Sequence, residues 1–598
     1  MKIVYTRRIS QLFFLLLFFW LGFVATLGTA WWQLRGWPVN WFIHADPLAA
    51  LGVFLTTRTV QVGFGWAVAM IGLTVIFGRF FCGWICPFGT LHQSIGWLSY
   101  RRRPLIEKIK ANDYRPAQRI KYSILTFLLA VAFVGLIADG AKIARMAGLS
   151  RIAAGSLQTG LLDPISLMYR SVNLVLLPLA DRTVLVTSLG PRWYAGAGLI
   201  GFIFAVALAL NIWIPRFYCR FVCPLGALFG VIGRWSLWRI GKTNPKCSMC
   251  MECETHCEGA CEPSTKIRPS ECVLCMNCLR GCDDNVIAYR PQPSAGGEVA
   301  GVDLTRRGLI VSMASGALAV PVMRLNNLLG ANWNPRLIRP PGALPEEPFL
   351  DRCLKCGQCM RVCPTNIIQP AGLEAGLEGV WTPTLNFRIG TSGCQLNCVA
   401  CGQVCPTAAI RPITLDKKLG RNAFAEAGPI RLGTAFVDQG RCLPWAMDRP
   451  CIVCQENCPV SPKAIFVREV FIPVREGTHV VAHADELTID LGSSALAPNI
   501  FATGDYYCRP LPAEGEAPHR IVANTDALIT IDPNRPFAKP LKPGIKVEIL
   551  VRLQRPVVDP RYCIGCGVCE HECPVTGIKA IRVTAENESR NTERKLLP

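Results

Sequence analysis

The chain reads as a multi-domain protein. An all-α membrane domain, with four helices in two pseudo-repeats plus a fifth anchor helix, is joined to cysteine-rich α+β modules. Three observations predict this class: apolar runs fill the first third of the 598 residues, most of the 30 Cys fall into regularly spaced groups, and one motif in the apolar third occurs twice. With 51% hydrophobic residues the chain is large enough to bury a core without covalent staples.

The apolar runs lie at Ile9–Trp32, Val60–Phe77, Tyr122–Ile137 and Ala195–Ile214, each near the length that crosses about 30 Å of hydrocarbon. The first follows Lys2, Arg7 and Arg8 as a signal peptide would. Another apolar run comes next, and no small-residue cleavage site leads into a soluble domain, so an uncleaved anchor is expected. The loop from Arg101 to Lys121 carries eight basic residues against Glu107 and Asp113, and Arg234, Arg239, Lys242 and Lys246 follow the fourth run. Lys and Arg beside membrane ends stay on the cytoplasmic side, which places the N-terminus, this loop and the residues after 240 inside. The formal charge of +21 is partly this anchoring. A basic chain also raises nucleic acid as a partner, but no helix-turn-helix, zinc-finger or RNA-recognition pattern accompanies the charge, so none is expected.

Within residues 1–240 the sequence Arg79–Leu91 matches Arg216–Leu228, and each copy is preceded by Asp-Pro, at Asp46-Pro47 and Asp163-Pro164. Two equivalent hairpins should pack about a pseudo-two-fold axis. Each copy carries C-x3-C-P, Cys82/Cys86 and Cys219/Cys223. Two Cys four apart share one helical face, so four thiols are expected to converge as a redox or metal site. Packing as small hydrophobes is the competing reading, and a cluster, copper and dithiol cycling all stay open. Asp46 and Asp163 are candidates for taking protons, with turn initiation as the other reading. No side chain is assigned as catalytic.

Of the remaining 26 Cys, all but Cys261 and Cys508 form six groups. Four have the spacing C-x2-C-x2-C-x3-C: Cys247/Cys250/Cys253/Cys257, Cys272/Cys275/Cys278/Cys282, Cys353/Cys356/Cys359/Cys363 and Cys563/Cys566/Cys569/Cys573. Two are variants, Cys394/Cys398/Cys401/Cys405 and Cys442/Cys451/Cys454/Cys458. Thiolates two residues apart on a tight loop wrap one cubane, while the fourth, usually before Pro, turns to a neighbouring cluster. Six groups therefore predict six [4Fe–4S] clusters. A disulfide scaffold suits short secreted domains instead, and the absence of C-x-x-C-H removes covalent c-type haem.

Residues 241–290 form a first dicluster ferredoxin module, cytoplasmic by the charge argument. Crossed ligation gives Cys247/Cys250/Cys253/Cys282 and Cys272/Cys275/Cys278/Cys257. Glu258 and Asp283 stand where Pro usually follows the fourth Cys, and Cys261 is an alternative to Cys257. Residues 291–307 are a linker ending in Arg306-Arg307, an address for exporting folded, cofactor-loaded domains. A fifth membrane helix is expected at 308–324, with a periplasmic four-cluster domain at 325–598. Alternating Val/Ile/Thr stretches at about 460–560 predict a strand-rich insertion.

These motifs carry a resemblance. The paired Cys82-x3-Cys86-Pro87 and Cys219-x3-Cys223-Pro224, followed by a dicluster module, resemble the NosR/NapH/FixG-type membrane ferredoxins. From Arg306 onward, the twin arginine, the four groups and the stretch Cys442–Cys451 look like the NapG/MauM type, as though the two kinds were fused. By analogy with four-cluster subunits, the outer groups pair in a nest: Cys353/Cys356/Cys359/Cys573, Cys563/Cys566/Cys569/Cys363, Cys394/Cys398/Cys401/Cys458 and Cys442/Cys451/Cys454/Cys405. The resemblance implies a multi-pass protein of the bacterial inner membrane, oxidation of membrane quinol, and electron delivery to a periplasmic redox protein or reductase. A different class, an assembly or maturation factor of the FixG or NosR kind that reduces copper, is the alternative.

Overall fold

The computed structural model describes residues 2–596 apart from 26–37, 139–155, 185–191, 283–284, 300, 329–333, 335, 494–495 and 513–516. The chain forms two compact units, residues 1–386 with 398–426, and residues 387–397 with 427–598.

The first unit is helical through most of its length. Two stretches, Ile3–Val24 and Leu105–Val134, are long and apolar enough to cross a membrane. The end of the first expected run, 26–32, lies outside the described residues. Two further runs expected to span fold as 13-residue helices, Gly65–Phe77 and Ala197–Ala209. At 1.5 Å per residue each rises about 20 Å, short of the hydrocarbon thickness. Gly78, at φ 84°, ends the first of them. An apolar run records burial, not where a helix breaks. Helix Arg306–Leu328 extends beyond the expected 308–324 and packs along helix Ile120–Ala138. Gly316 permits this approach, since a Cβ there would stand 2.6 Å from the Phe127 carbonyl oxygen.

The sequence repeat is also a structural one. Asp46 and Asp163 cap helices Pro47–Thr57 and Pro164–Ser171, and Cys86 and Cys223 cap helices Pro87–Tyr100 and Pro224–Gly233. All four helices have Pro in their first turn, where its missing N–H costs nothing. A π-turn, Phe81–Ile85 or Tyr218–Val222, precedes each capping Cys. The copies meet reciprocally: the Arg79 guanidinium lies beside Gly226, and that of Arg216 beside Gly89. Such exchange is what a two-fold relation imposes. Phe81, Phe88, Phe204, Tyr218 and Phe229 fill the shared core.

Helix 65–77 has a cysteine-rich module at each end. At its C-terminus, Leu237 and Trp238 donate N–H to the carbonyls of Val75 and Ile76. The first module follows directly and is closed by the antiparallel pair Arg239–Lys242 and Ile287–Arg290. Beside its N-terminus, Asn40 and His44 reach the carbonyls of Val404 and Pro406.

In the second unit, Ile465–Val480 pairs along Lys546–Val558 to start a seven-stranded antiparallel sheet that includes Tyr506–Leu511, His519–Asn524 and Leu528–Ile531. Ile489, Cys508, Ile521, Ile529, Val547 and Ile549 form its core. Cys508, outside every group, is fully buried there and acts as a small hydrophobe.

Candidate iron–sulfur centres

The four regular groups share one backbone solution. The residue before the second Cys and the residue after it both have positive φ: Met249 and Met251, Leu274 and Met276, Lys355 and Gly357, Gly565 and Gly567. Two left-handed residues flanking a Cys curl the chain so that successive thiols turn inward. Non-Gly residues pay strain for that shape. No positive φ occurs between Cys398 and Cys401 or between Cys451 and Cys454, so the two spacing variants are backbone variants as well.

Three cavities fix the fourth ligand in the second half, and they overturn the nested pairing. Cys353, Cys356 and Cys359 share a cavity with Cys405, not Cys573. Cys442, Cys451 and Cys454 share one with Cys573, not Cys405. Cys563, Cys566 and Cys569 share one with Cys458, not Cys363. Cys363, Cys394, Cys398 and Cys401 stand outside these cavities. The physical reason is local. Helix Gln358–Arg361 packs on Ala400–Gln403, and Val453–Glu456 packs on Val568–Glu572. Groups adjacent in sequence therefore exchange their fourth Cys, as in two-cluster ferredoxins.

In the first module Cys253 lies within electrostatic reach of Cys250, Cys257 and Cys282, and Cys278 within reach of Cys272, Cys275 and Cys257. Cys261 Sγ is 3.3 Å from Cys257 Sγ and also contacts Cys272, so both candidates for the fourth position stand together. Glu258 occupies the position of the missing Pro. Burial would raise its carboxyl, but the Arg216 and Arg7 guanidiniums outweigh this and hold it below the usual carboxylate range.

Four-thiol cavities fit cubane clusters. Burial pushes the bare thiols of Cys353 and Cys442 up to about 11, so metal binding there must displace protons. Among the described residues no three His, Cys, Asp or Glu converge on a single-ion site. Thiols that embrace a cube of four irons stand farther apart than ligands of one ion.

Cys82, Cys86, Cys219 and Cys223 converge between the two copies, within electrostatic reach of one another. Gly89 N–H donates to Cys86 Sγ at 3.3 Å and Gly226 N–H to Cys223 Sγ at 3.1 Å. The Arg79 and Arg216 guanidiniums lie beside the thiols. Two helix N-termini and two cations there would offset the negative charge that bound metal brings to thiolate ligands. Both arginines begin the repeated motif, so the signal for their role was present in the sequence and went unread.

A second convergence joins Asp46 and Asp163, whose fully buried carboxyls reach hydrogen-bonding contact. Asp46 Oδ1 accepts from Leu48 N at 2.8 Å and Asp163 Oδ2 from Ser166 N at 2.7 Å. The opposite oxygens, Asp46 Oδ2 and Asp163 Oδ1, have no other hydrogen-bond partner. Two carboxylates cannot share a buried contact unless a proton lies between them. Turn initiation and proton holding are thus performed by the same residues.

Comparison with known proteins agrees with this chemistry. A family model described as "4Fe-4S binding domain" matches residues 59–105 and 194–243, and another of the same description matches 348–369 and 556–579. Fold and site together define an iron–sulfur electron-transfer protein with a helical membrane-type domain. Protein NirI of Paracoccus denitrificans is 28% identical over 273 residues, 43% of this chain and 33% of NirI. Regulatory protein NosR of Stutzerimonas stutzeri is 26% identical over 38% of this chain and 26% of NosR. Ferredoxin-type protein NapH of Haemophilus influenzae is 26% identical over 39% of this chain and 70% of NapH. In this part the chain is similar to membrane ferredoxins of the NapH and NosR kind. It spans only about a third of NirI and a quarter of NosR. No solved structure matches it.

Proposed function

We propose that the protein is a membrane-bound quinol dehydrogenase that relays electrons to a redox protein or reductase on the periplasmic side. The observation that carries this reading is the order of thiol sets along the first unit. The first module lies at one end of helix 65–77, the four-thiol centre lies between the repeats, and the Cys353/Cys356/Cys359/Cys405 cavity belongs to the module beside the other end. Bound iron–sulfur clusters supply one-electron acceptance and release at each position. The chain's own residues fix the spacing, exclude water and hold charge: Arg79 and Arg216 stand beside thiolate, and the Asp46/Asp163 pair holds a proton.

On this reading the first module is cytoplasmic, residues 325–598 are periplasmic, and the protein sits in the bacterial inner membrane. The full complement is six [4Fe–4S] clusters plus the four-thiol centre. The residues matched at 59–105 and 194–243 contain only Cys82, Cys86, Cys219 and Cys223, which supports a cluster there over a dithiol or copper. The test is direct. Anaerobically purified protein should lose its iron–sulfur absorbance on mixing with a reduced quinone analogue. Fully loaded protein that stays oxidised would remove the quinol assignment. Loss of copper reduction in C82S/C219S protein that still bleaches normally would favour the maturation factor.

A further inference from the structure

A cavity of about 760 Å³ lies in the first unit between helices 120–138, 197–209 and 306–328 and the segment at 377–381. Its size is that of small-molecule sites, and its wall is chiefly apolar, from residues such as Phe127, Leu128, Leu161 and Ile203. One end is polar. Arg170 lines it and is 1% exposed. Its Nη1 donates to the carbonyls of Gly160 and Lys355, and its Nη2 to that of Leu161. Its Nε has no partner. A buried guanidinium N–H without an acceptor is costly, and the side chain that carries it lines the cavity. The Trp381 ring lies 4.4 Å from the guanidinium carbon on the same wall.

The location matters as much as the lining. Lys355, whose carbonyl Arg170 holds, is next to Cys356 of the four-thiol cavity. Leu162, on the cavity wall, is next to Asp163 of the carboxyl pair. An occupant would touch Leu162, the neighbour of a candidate proton acceptor, and Arg170, which holds the neighbour of a candidate electron acceptor.

We propose that this cavity binds a lipid-soluble quinone, with the ring beside Trp381 at the Arg170 end and the isoprenoid tail along Phe127, Leu128 and Ile203. The site rests on the quinol reading above and gives it an address. A phospholipid acyl chain fits the apolar wall equally well but offers no flat ring for Trp381, so the two occupants separate by experiment.

The probe is an azido-ubiquinone analogue photolysed with the full-length protein in nanodiscs, with labelled peptides identified by mass spectrometry. Label should fall within residues 120–128, 158–170 or 377–381, and excess decylubiquinone, but not dodecanol, should suppress it. S315W, which places a bulky group from an exposed position into the cavity, should lower decylubiquinone affinity at least tenfold. R170K should weaken it by a similar factor, and W381F by less. Iron content measured on each variant separates lost binding from lost folding. Label confined to other residues, equal competition by dodecanol, or S315W binding as tightly as the parent overturns the site. If S315W still bleaches with reduced decylubiquinone at the parental rate, the site fails while the quinol reading survives. If the parent neither binds nor bleaches, both fail.

Discussion

At the C-terminal end of helix 65–77 the docking is ionic. Glu271, 3% exposed, takes Lys121, the Tyr122 hydroxyl at 2.8 Å and Gln118 at 3.2 Å, and Glu258 takes Arg216 at 2.9 Å. At the other end most donors, neutral ones and the guanidiniums of Arg170 and Arg192, meet backbone carbonyls. Thr56 reaches Asp351, Tyr194 reaches Met360 at 3.2 Å, and Asn173 reaches Cys356 at 3.5 Å, with Arg361–Asp181 as an ion pair beside them. The difference explains an oddity of the sequence. In one of the first module's two groups the position after the fourth Cys holds Glu258 in place of Pro, and Glu258 binds arginine there. The later module keeps Pro406, and its carbonyl contacts His44. Buried charges that lose a partner cost far more than neutral contacts, so the two ends should fail differently.

The largest effects test the cluster sets on which both ends depend. C405S should alter the same electron paramagnetic resonance signal as C353S, and C573S the same signal as C442S. The nested pairing requires the reverse. Next comes E271Q, which leaves Lys121 buried without a counter-charge and should cost about 3–5 kcal/mol, read as a lower midpoint for thermal loss of cluster absorbance. G160A follows. A Cβ there would stand 2.2 Å from the Leu354 carbonyl oxygen, and such overpacking costs about 1–3 kcal/mol, read as faster proteolysis after Leu354. The smallest is N173A. It removes bonds to the Cys356 carbonyl and Gln358 Oε1, worth about 1 kcal/mol in all, measured by the same thermal midpoint. If E271Q and N173A shift the midpoint equally, the contrast between the ends is wrong.

Much of the site was legible because cluster loops are local. Three thiols within seven residues, such as Cys353, Cys356 and Cys359, announce themselves by spacing alone. The fourth ligand was not legible, since Cys405 and Cys573 are placed by which short helices pack together, a tertiary fact. The insertion was readable from alternation, which marks the strands at 465–480 and 546–558 directly. Where the α-helix of the run Val60–Phe77 begins was not legible, because Val62–Phe64 is a 3-10 turn leading straight into Gly65–Phe77 and hydropathy carries no sign of that change. The Asp-Pro pairs signalled two turns, but nothing local says that Asp46 and Asp163 face each other.

The reciprocal reach of Arg79 to Gly226 and Arg216 to Gly89 bears on ancestry. A half-length chain pairing with its own duplicate would make those contacts, because in such a dimer each surface meets its image. It would close the same ring of sulfur and set its aspartate against its twin. The equivalent arginines of the two copies do different jobs: Arg79 donates to the Ser270 carbonyl at 2.7 Å, while Arg216 grips Glu258. A single docked module thereby gives the paired repeats a front and a back.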